Sequence, residues 1–194
     1  MEPGWLRHRP RKATTAVKKD SKTRQAEKEL RSVVNSPQVF DVLSKNVKDW
    51  DQLCSAMDLV GDTNAAIEAF KGASPTKKIG RLYLNAYGLL QSLFVQSDAV
   101  RYIREVVGLE RNLSQSLVDI REIRNRSVGH PARYGDKSYG ISRISLSQGE
   151  FTLTSFAWDK PSSPEVFAFS DLIIRQELGV VEEIRQIIAH LNKA

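Results

Sequence analysis

A guanidinium, a carboxamide and an imidazole lie within one seven-residue stretch of this chain, Arg124-Asn-Arg-Ser-Val-Gly-His130. A guanidinium stays charged at every relevant pH and its planar fork of N–H donors suits phosphate or carboxylate oxygens. An imidazole exchanges a proton near neutral pH. Asn125 supplies an uncharged donor and acceptor beside Arg124. Together the three can hold an anion while a proton is moved, which is what acid–base chemistry on a phosphate requires.

These residues must be positioned by a helix. Asn112 or Ser114 can cap one that runs through Leu117, Ile120 and Ile123 to Val128, with Gly129 and Pro131 stopping it. At about 100° per residue, Leu113, Leu117, Ile120, Ile123 and Val128 share one broad face, and Arg124 falls within it. A charge on a packing face is costly unless something meets it, so Arg124 calls for a partner. Arg126 points away and reads as an ordinary solvated charge. His130 follows Gly129, which can take backbone angles closed to other residues, and precedes Pro131, which pushes it out of helical geometry. It is thereby set in the turn at the helix C-terminus.

The apolar segment from Ile79 to Val107 reads as a central helix, apolar on most sides and hence enclosed by others. Gln91, Asp98 and Glu105 repeat at heptad spacing along one line of it. Either that line meets polar partners or it faces solvent. Upstream, Asp20-Ser opens a helix reaching about Val34, Ser36-Pro37 starts a short one, and another surrounds Trp50 to Leu59. Gly61-Asp-Thr-Asn reads as a break before a further turn or two at Ala65 to Phe70. After the motif the period changes to alternation. Tyr139, Ile141, Ile144 and Leu146 form one run, Phe151, Leu153, Phe156 and Trp158 the other, with a turn at Ser147 to Glu150. That predicts a β-hairpin over about 139–158, then a loop at Asp159 to Pro164. Phe167 to Leu191 returns to helix, with Ile173, Leu178, Val181, Ile184, Ile187, Ile188 and Leu191 as its apolar face. The expected fold is mainly α, a helical bundle with the hairpin inserted between the motif helix and the C-terminal helix.

The 194 residues suffice for one domain, and 41% hydrophobic with 27% charged residues is a globular composition. The net charge of +6 is unevenly placed. Residues 1–31 hold ten Lys/Arg and four acids, and taking these from totals of 29 and 23 leaves nineteen of each elsewhere. Residues 1–20 form a basic arm in which Arg7, Arg9, Arg11, Lys12, Lys18 and Lys19 can meet a phosphate backbone, or simply stay solvated, ahead of a domain over 21–194. The single Cys54 excludes an internal disulfide and a multi-cysteine zinc site, and reads as a buried apolar residue in a reducing compartment. His8, His130 and His190 fall on different elements, so no metal or cofactor is expected, and His190 reads as a surface residue. No apolar run is long enough to span a bilayer and Met1-Glu-Pro-Gly-Trp lacks a signal core. A cytoplasmic protein without membrane attachment is the default expectation, with an organellar transit peptide as the alternative. Gly72-Ala-Ser-Pro-Thr-Lys-Lys lacks the spacing of a phosphate loop.

The stretch Asp119-Ile-Arg-Glu-Ile-Arg-Asn-Arg-Ser-Val-Gly-His-Pro resembles the signature of the HEPN superfamily, an arginine followed after four to six residues by histidine, commonly with a polar residue next to the arginine. Arg124, Asn125 and His130 match it, and the helix from Tyr83 to Val100 is similar to the one that packs beside the motif helix in that superfamily. The resemblance covers about residues 79–131. It implies a metal-independent endoribonuclease that needs no cofactor, with a composite site formed where motif helices of two copies meet in a homodimer. By that resemblance His130 acts as general base or acid on a ribose 2′-hydroxyl, Arg124 stabilises phosphate charge, Asn125 orients one of them, and Asp98 or Gln91 holds Arg124. Tyr134, four residues after His130, stands farther from the histidine than the modified tyrosine of related toxins. The setting implied is stress response or phage defence, with an antitoxin or regulatory protein as possible partner. Non-catalytic members imply the alternative of a nucleotide- or RNA-binding or dimerisation module.

Overall fold

The computed structural model describes residues 20–157 and 160–193, and residues 1–19 of the basic arm, with its six cationic candidates, lie outside them, as does Trp158. The fold is mainly helical, as the sequence indicates. Helix α1 (Lys22–Val34) starts at Ser21, whose hydroxyl accepts from the Arg24 N–H at 3.1 Å, and short α2 (Pro37–Leu43) follows. Helix α3 (Val47–Lys71) runs unbroken through Gly61-Asp-Thr-Asn, where a break is predicted. A Cβ on Gly61 would stand 2.8 Å from the Arg24 guanidinium, so the glycine admits α1's side chain instead of ending the helix. Thr63 stays within the ladder by donating to the Leu59 carbonyl at 2.6 Å.

Helix α4 (Ile79–Val106) is the central element, and Gly108, at φ +82, turns the chain out of it. Its apolar surface is divided between two cores. Ala99, Val100 and Ile103 join α1, α3 and the end of the last helix, α6 (Phe169–Leu191), whereas Leu82, Leu89, Leu90 and Leu93 join the sheet and the beginning of α6. Between the two cores lies a buried polar layer. Gln176 donates to the Leu93 carbonyl (2.9 Å), Gln96 Oε1 (3.1 Å) and Ser97 Oγ (3.1 Å). A satisfied layer of this kind fixes the register of α6 on α4, because sliding either helix would strand amides in an apolar setting.

Helix α5 (Gln115–Arg124) spans both cores, sending Leu117 into the first and Ile120 and Ile123 into the second. Its approach to α6 depends on Gly179, where a Cβ would lie 2.8 Å from Leu117 Cγ. Gly179→Ala is therefore expected to destabilise the domain by about 1–3 kcal/mol through overpacking. A lower denaturant midpoint at unchanged slope would register it.

The sheet is larger than the predicted hairpin. Strands β1 (Ser138–Ile141) and β2 (Glu150–Ala157) pair antiparallel, with Tyr139 opposite Ser155, and β3 (Lys160–Ala168) pairs with β2, with Phe151 opposite Phe167 and Leu153 opposite Glu165. The predicted loop at 159–164 is thus mostly strand. Pro164 suits it because β3 is an edge strand, where a missing N–H is tolerated. Ile144, expected in the first strand, is fully exposed in the connector, and Leu178 is exposed on α6, while Phe151 and Leu153 fill the core. No described helix is long and apolar enough to cross a membrane.

Candidate functional site

The motif does not continue α5 as an ordinary helix. Residues Asn125–Gly129 form a π-helix, closed by the His130 N–H donating to the Asn125 carbonyl at 2.8 Å. Ser127 is buried and its hydroxyl donates to the Ile123 carbonyl at 2.6 Å, an i−4 back-bond that competes with the normal ladder. The widened turn re-aims the side chains that follow it, and such π segments recur at functional sites.

Arg124, the last residue of α5, is half-buried on the side facing α4. Its Nε and Nη2 both donate to Gln91 Oε1, at 3.0 and 2.7 Å, and its Nη1 donates to Asn125 Oδ1 at 3.1 Å. The guanidinium carbon lies 4.2 Å from the centre of the Phe94 ring. Every one of these contacts is with a neutral group. Among the described residues no carboxylate pairs with Arg124, so its charge is oriented but not cancelled. Of the two residues expected to hold it, Gln91 does and Asp98 does not. Asp98 is taken by Arg101 at 2.6 Å and Arg121 at 3.3 Å, and Glu105, next on the same line of α4, is taken by Arg111. The heptad line therefore meets an arginine at each step.

Gly129 makes room for this arrangement. It does not use positive φ, as the sequence suggested; among the described glycines only Gly108 and Gly135 do. Instead a Cβ at Gly129 would fall 2.6 Å from Arg124 Nη1 and 3.4 Å from Asn125 Oδ1. His130 follows with extended-side angles, φ −138 and ψ 48, and is exposed. Its backbone carbonyl accepts from the Arg133 N–H, while among the described residues no hydrogen bond fixes its ring.

Arg126 is not a solvated charge. Its side chain is only 14% exposed, pairs with both Glu165 oxygens at 2.5 and 3.3 Å, and lies 5.4 Å from the Tyr139 ring centre. The cause is the sheet, whose inner face carries Tyr139 and Glu165 over the π-helix. Arg126 thus ties β1 and β3 to the motif. Tyr134 donates to Glu122 rather than approaching Arg124, and that bond to a carboxylate, with some burial, pushes its phenol above the usual tyrosine range. The motif's two arginines accordingly divide their tasks, with Arg126 fastening the sheet and Arg124 keeping a charge to spend.

Two neighbours were not singled out in the sequence. Phe94 sits three residues after Gln91, on the same side of α4, and its ring also receives Arg121, whose guanidinium carbon is 4.3 Å from the centre. Burial lowers the Arg121 pKa, with Asp98 opposing the shift and Arg101 and Arg124 adding to it. Beside Asn125 a surface depression of about 410 Å³ is lined by Arg101, Arg111, Asn112, Arg121 and Glu122. His190 is half-buried and its Nε2 lies 3.0 Å from the Val107 carbonyl, closing the end of α4 rather than facing solvent. Cys54 is half-buried against the first core, and burial raises its thiol pKa. Among the described residues no group of three or more His, Cys, Asp or Glu side chains is placed to hold a metal ion.

No protein-family model, curated protein sequence or solved structure matches the chain.

Proposed function

We propose that the protein is a HEPN-type endoribonuclease that works as a homodimer and needs no metal ion, in a stress-response or phage-defence setting with an antitoxin or regulatory protein as partner. The observation that carries this reading is that, among the described residues, Arg124 is held by neutral groups alone. A carboxylate partner would fix the guanidinium equally well but would oppose an incoming phosphate; Gln91, Asn125 and the Phe94 ring orient it and leave the charge available. In the reaction His130 takes the proton of a ribose 2′-hydroxyl, the 2′-oxygen attacks the adjacent phosphorus, and the 5′-oxygen leaves and is protonated. Arg124 offsets the charge that gathers on the phosphoryl oxygens. The products are a 2′,3′-cyclic phosphate and a 5′-hydroxyl.

The dimer reading draws on the same face. Leu84 and Tyr87 are 62% and 41% exposed and continue, N-terminal to Gln91 and Phe94, the line of α4 that faces Arg124. A two-fold contact along that line would bring two Arg124–His130 pairs to one strand, one imidazole taking the proton and the other giving it. Within this account Gly129→Ala is expected to lower cleavage on the order of 10²-fold by displacing Arg124 Nη1, a misplacement of about an ångström. Its thermal midpoint should stay close to wild type, because the guanidinium end can move aside. Equal rates for the two proteins would remove Arg124 placement from the account.

A second reading, non-catalytic RNA or nucleotide binding, is favoured by the exposure of His130, whose ring among the described residues has no hydrogen bond to set its tautomer. Incubating the purified chain with single-stranded RNA in EDTA separates the two. Cleavage supports the nuclease. Intact RNA, bound in a manner that Arg124→Ala weakens and His130→Ala does not, supports the binding module.

A further inference from the structure

We propose that the depression between the 132–138 turn and the exposed ring of Phe156 takes one base of a single-stranded RNA, stacked on that ring, with Arg133 and Lys137 on the adjoining phosphates. The inference rests on the ribonuclease reading and extends it to how the strand is held beyond the cut.

The turn is a fixed platform. The Tyr134 N–H donates to the Lys137 carbonyl at 2.8 Å and the Lys137 N–H returns to the Tyr134 carbonyl at 3.3 Å. Gly135 takes φ +66, which only glycine adopts without strain. Tyr134 is anchored to Glu122 on α5, and the Tyr139 N–H to the Pro131 carbonyl at 2.6 Å. The platform is thus tied at both ends and begins two residues after His130.

Phe156 lies on the face of β2 opposite Phe151 and Leu153, is 52% exposed, and has its ring over Gly140 of β1, where a Cβ would be 3.7 Å from it. One exposed aromatic alone signifies little. Here it lines an open depression of about 610 Å³ together with Arg133 and Lys137, and among the described residues neither cation has a carboxylate partner. Asp136 is the one acid among the described residues of that lining. An aromatic surface flanked by two cations suits a strand without base pairs, since every base has a face to stack and a phosphate on each side. A folded protein docking on Phe156 is the competing occupant and makes no use of a base.

The test uses the full chain carrying His130→Ala, which slows cleavage enough to keep the RNA intact during a titration, and a fluorescein-labelled single-stranded RNA of about a dozen nucleotides. Anisotropy titration with added Phe156→Ala should raise Kd by roughly 5- to 100-fold, and Phe156→Trp should restore binding. Arg133→Gln with Lys137→Gln should weaken binding and flatten its salt dependence by about 1.4 in log–log slope. If Arg124→Ala weakens RNA binding while the Phe156 and Arg133/Lys137 variants leave it unchanged, the stacking site is wrong and the ribonuclease reading survives. If no RNA binds even before these changes, both fall.

Discussion

His130→Ala is expected to slow RNA cleavage by roughly 10²–10⁴-fold, the range a positioned acid–base group contributes. The variant should fold normally, because the His130 side chain is exposed and no hydrogen bond among the described residues depends on its ring. RNA binding should persist, since Arg124 keeps Gln91, Asn125 and Phe94 as neighbours. Initial rates on a quenched fluorescent RNA, read beside a thermal melt, measure both properties. Arg124→Ala should differ in lowering affinity and rate together, and Arg124→Lys should recover little, because an ammonium cannot serve Gln91 and Asn125 as the planar fork does. An undiminished rate in His130→Ala would remove the imidazole from the mechanism.

The largest stability effect is expected from Glu183. This α6 carboxylate is 2% exposed; one oxygen accepts from Arg104 Nη1 at 2.7 Å and the other from the Ser114 N–H at 2.7 Å, immediately before α5. Arg104 also donates from Nε to the Glu110 carbonyl at 2.9 Å and from Nη1 to Gln186 Oε1 at 3.0 Å. Glu183→Ala leaves a buried guanidinium uncancelled and an amide unmet, at a cost of about 3–5 kcal/mol. Replacing both Glu183 and Arg104 by methionine should recover most of that, because neither charge is then buried alone. Urea unfolding of the single and double variants provides the comparison. A loss below about 1 kcal/mol in the single variant would show that the carboxylate does not hold the start of the motif helix as described.

Much of this architecture was legible because it rests on local pattern. The all-round apolar run of α4, the Gly108 stop and the alternation of β1 and β2 each carry their own signal, and so did the placement of Arg124 on the packing face of α5. What was not legible depends on contacts distant in sequence. Gly61 looked like a helix break because its reason, Arg24 lying against it, is 37 positions away. Arg126 looked solvated because Glu165 belongs to a strand that its prolines disguised as a loop. Gln91 and Asp98 were equal candidates for Arg124, since heptad spacing places both on one line but does not say which level α5 meets. The π-helix arises from Ser127 turning back on Ile123, a choice that a serine within a helical pattern leaves open.

The central claim is that Arg124 and His130 act together on a phosphate in RNA, and the chemistry of the cut ends tests it most directly. Mass spectrometry of RNA treated with wild-type protein in EDTA should show 2′,3′-cyclic phosphate and 5′-hydroxyl termini, both formed at least about 10²-fold more slowly with His130→Ala. Intact RNA, or 3′-hydroxyl and 5′-phosphate ends, would contradict the account.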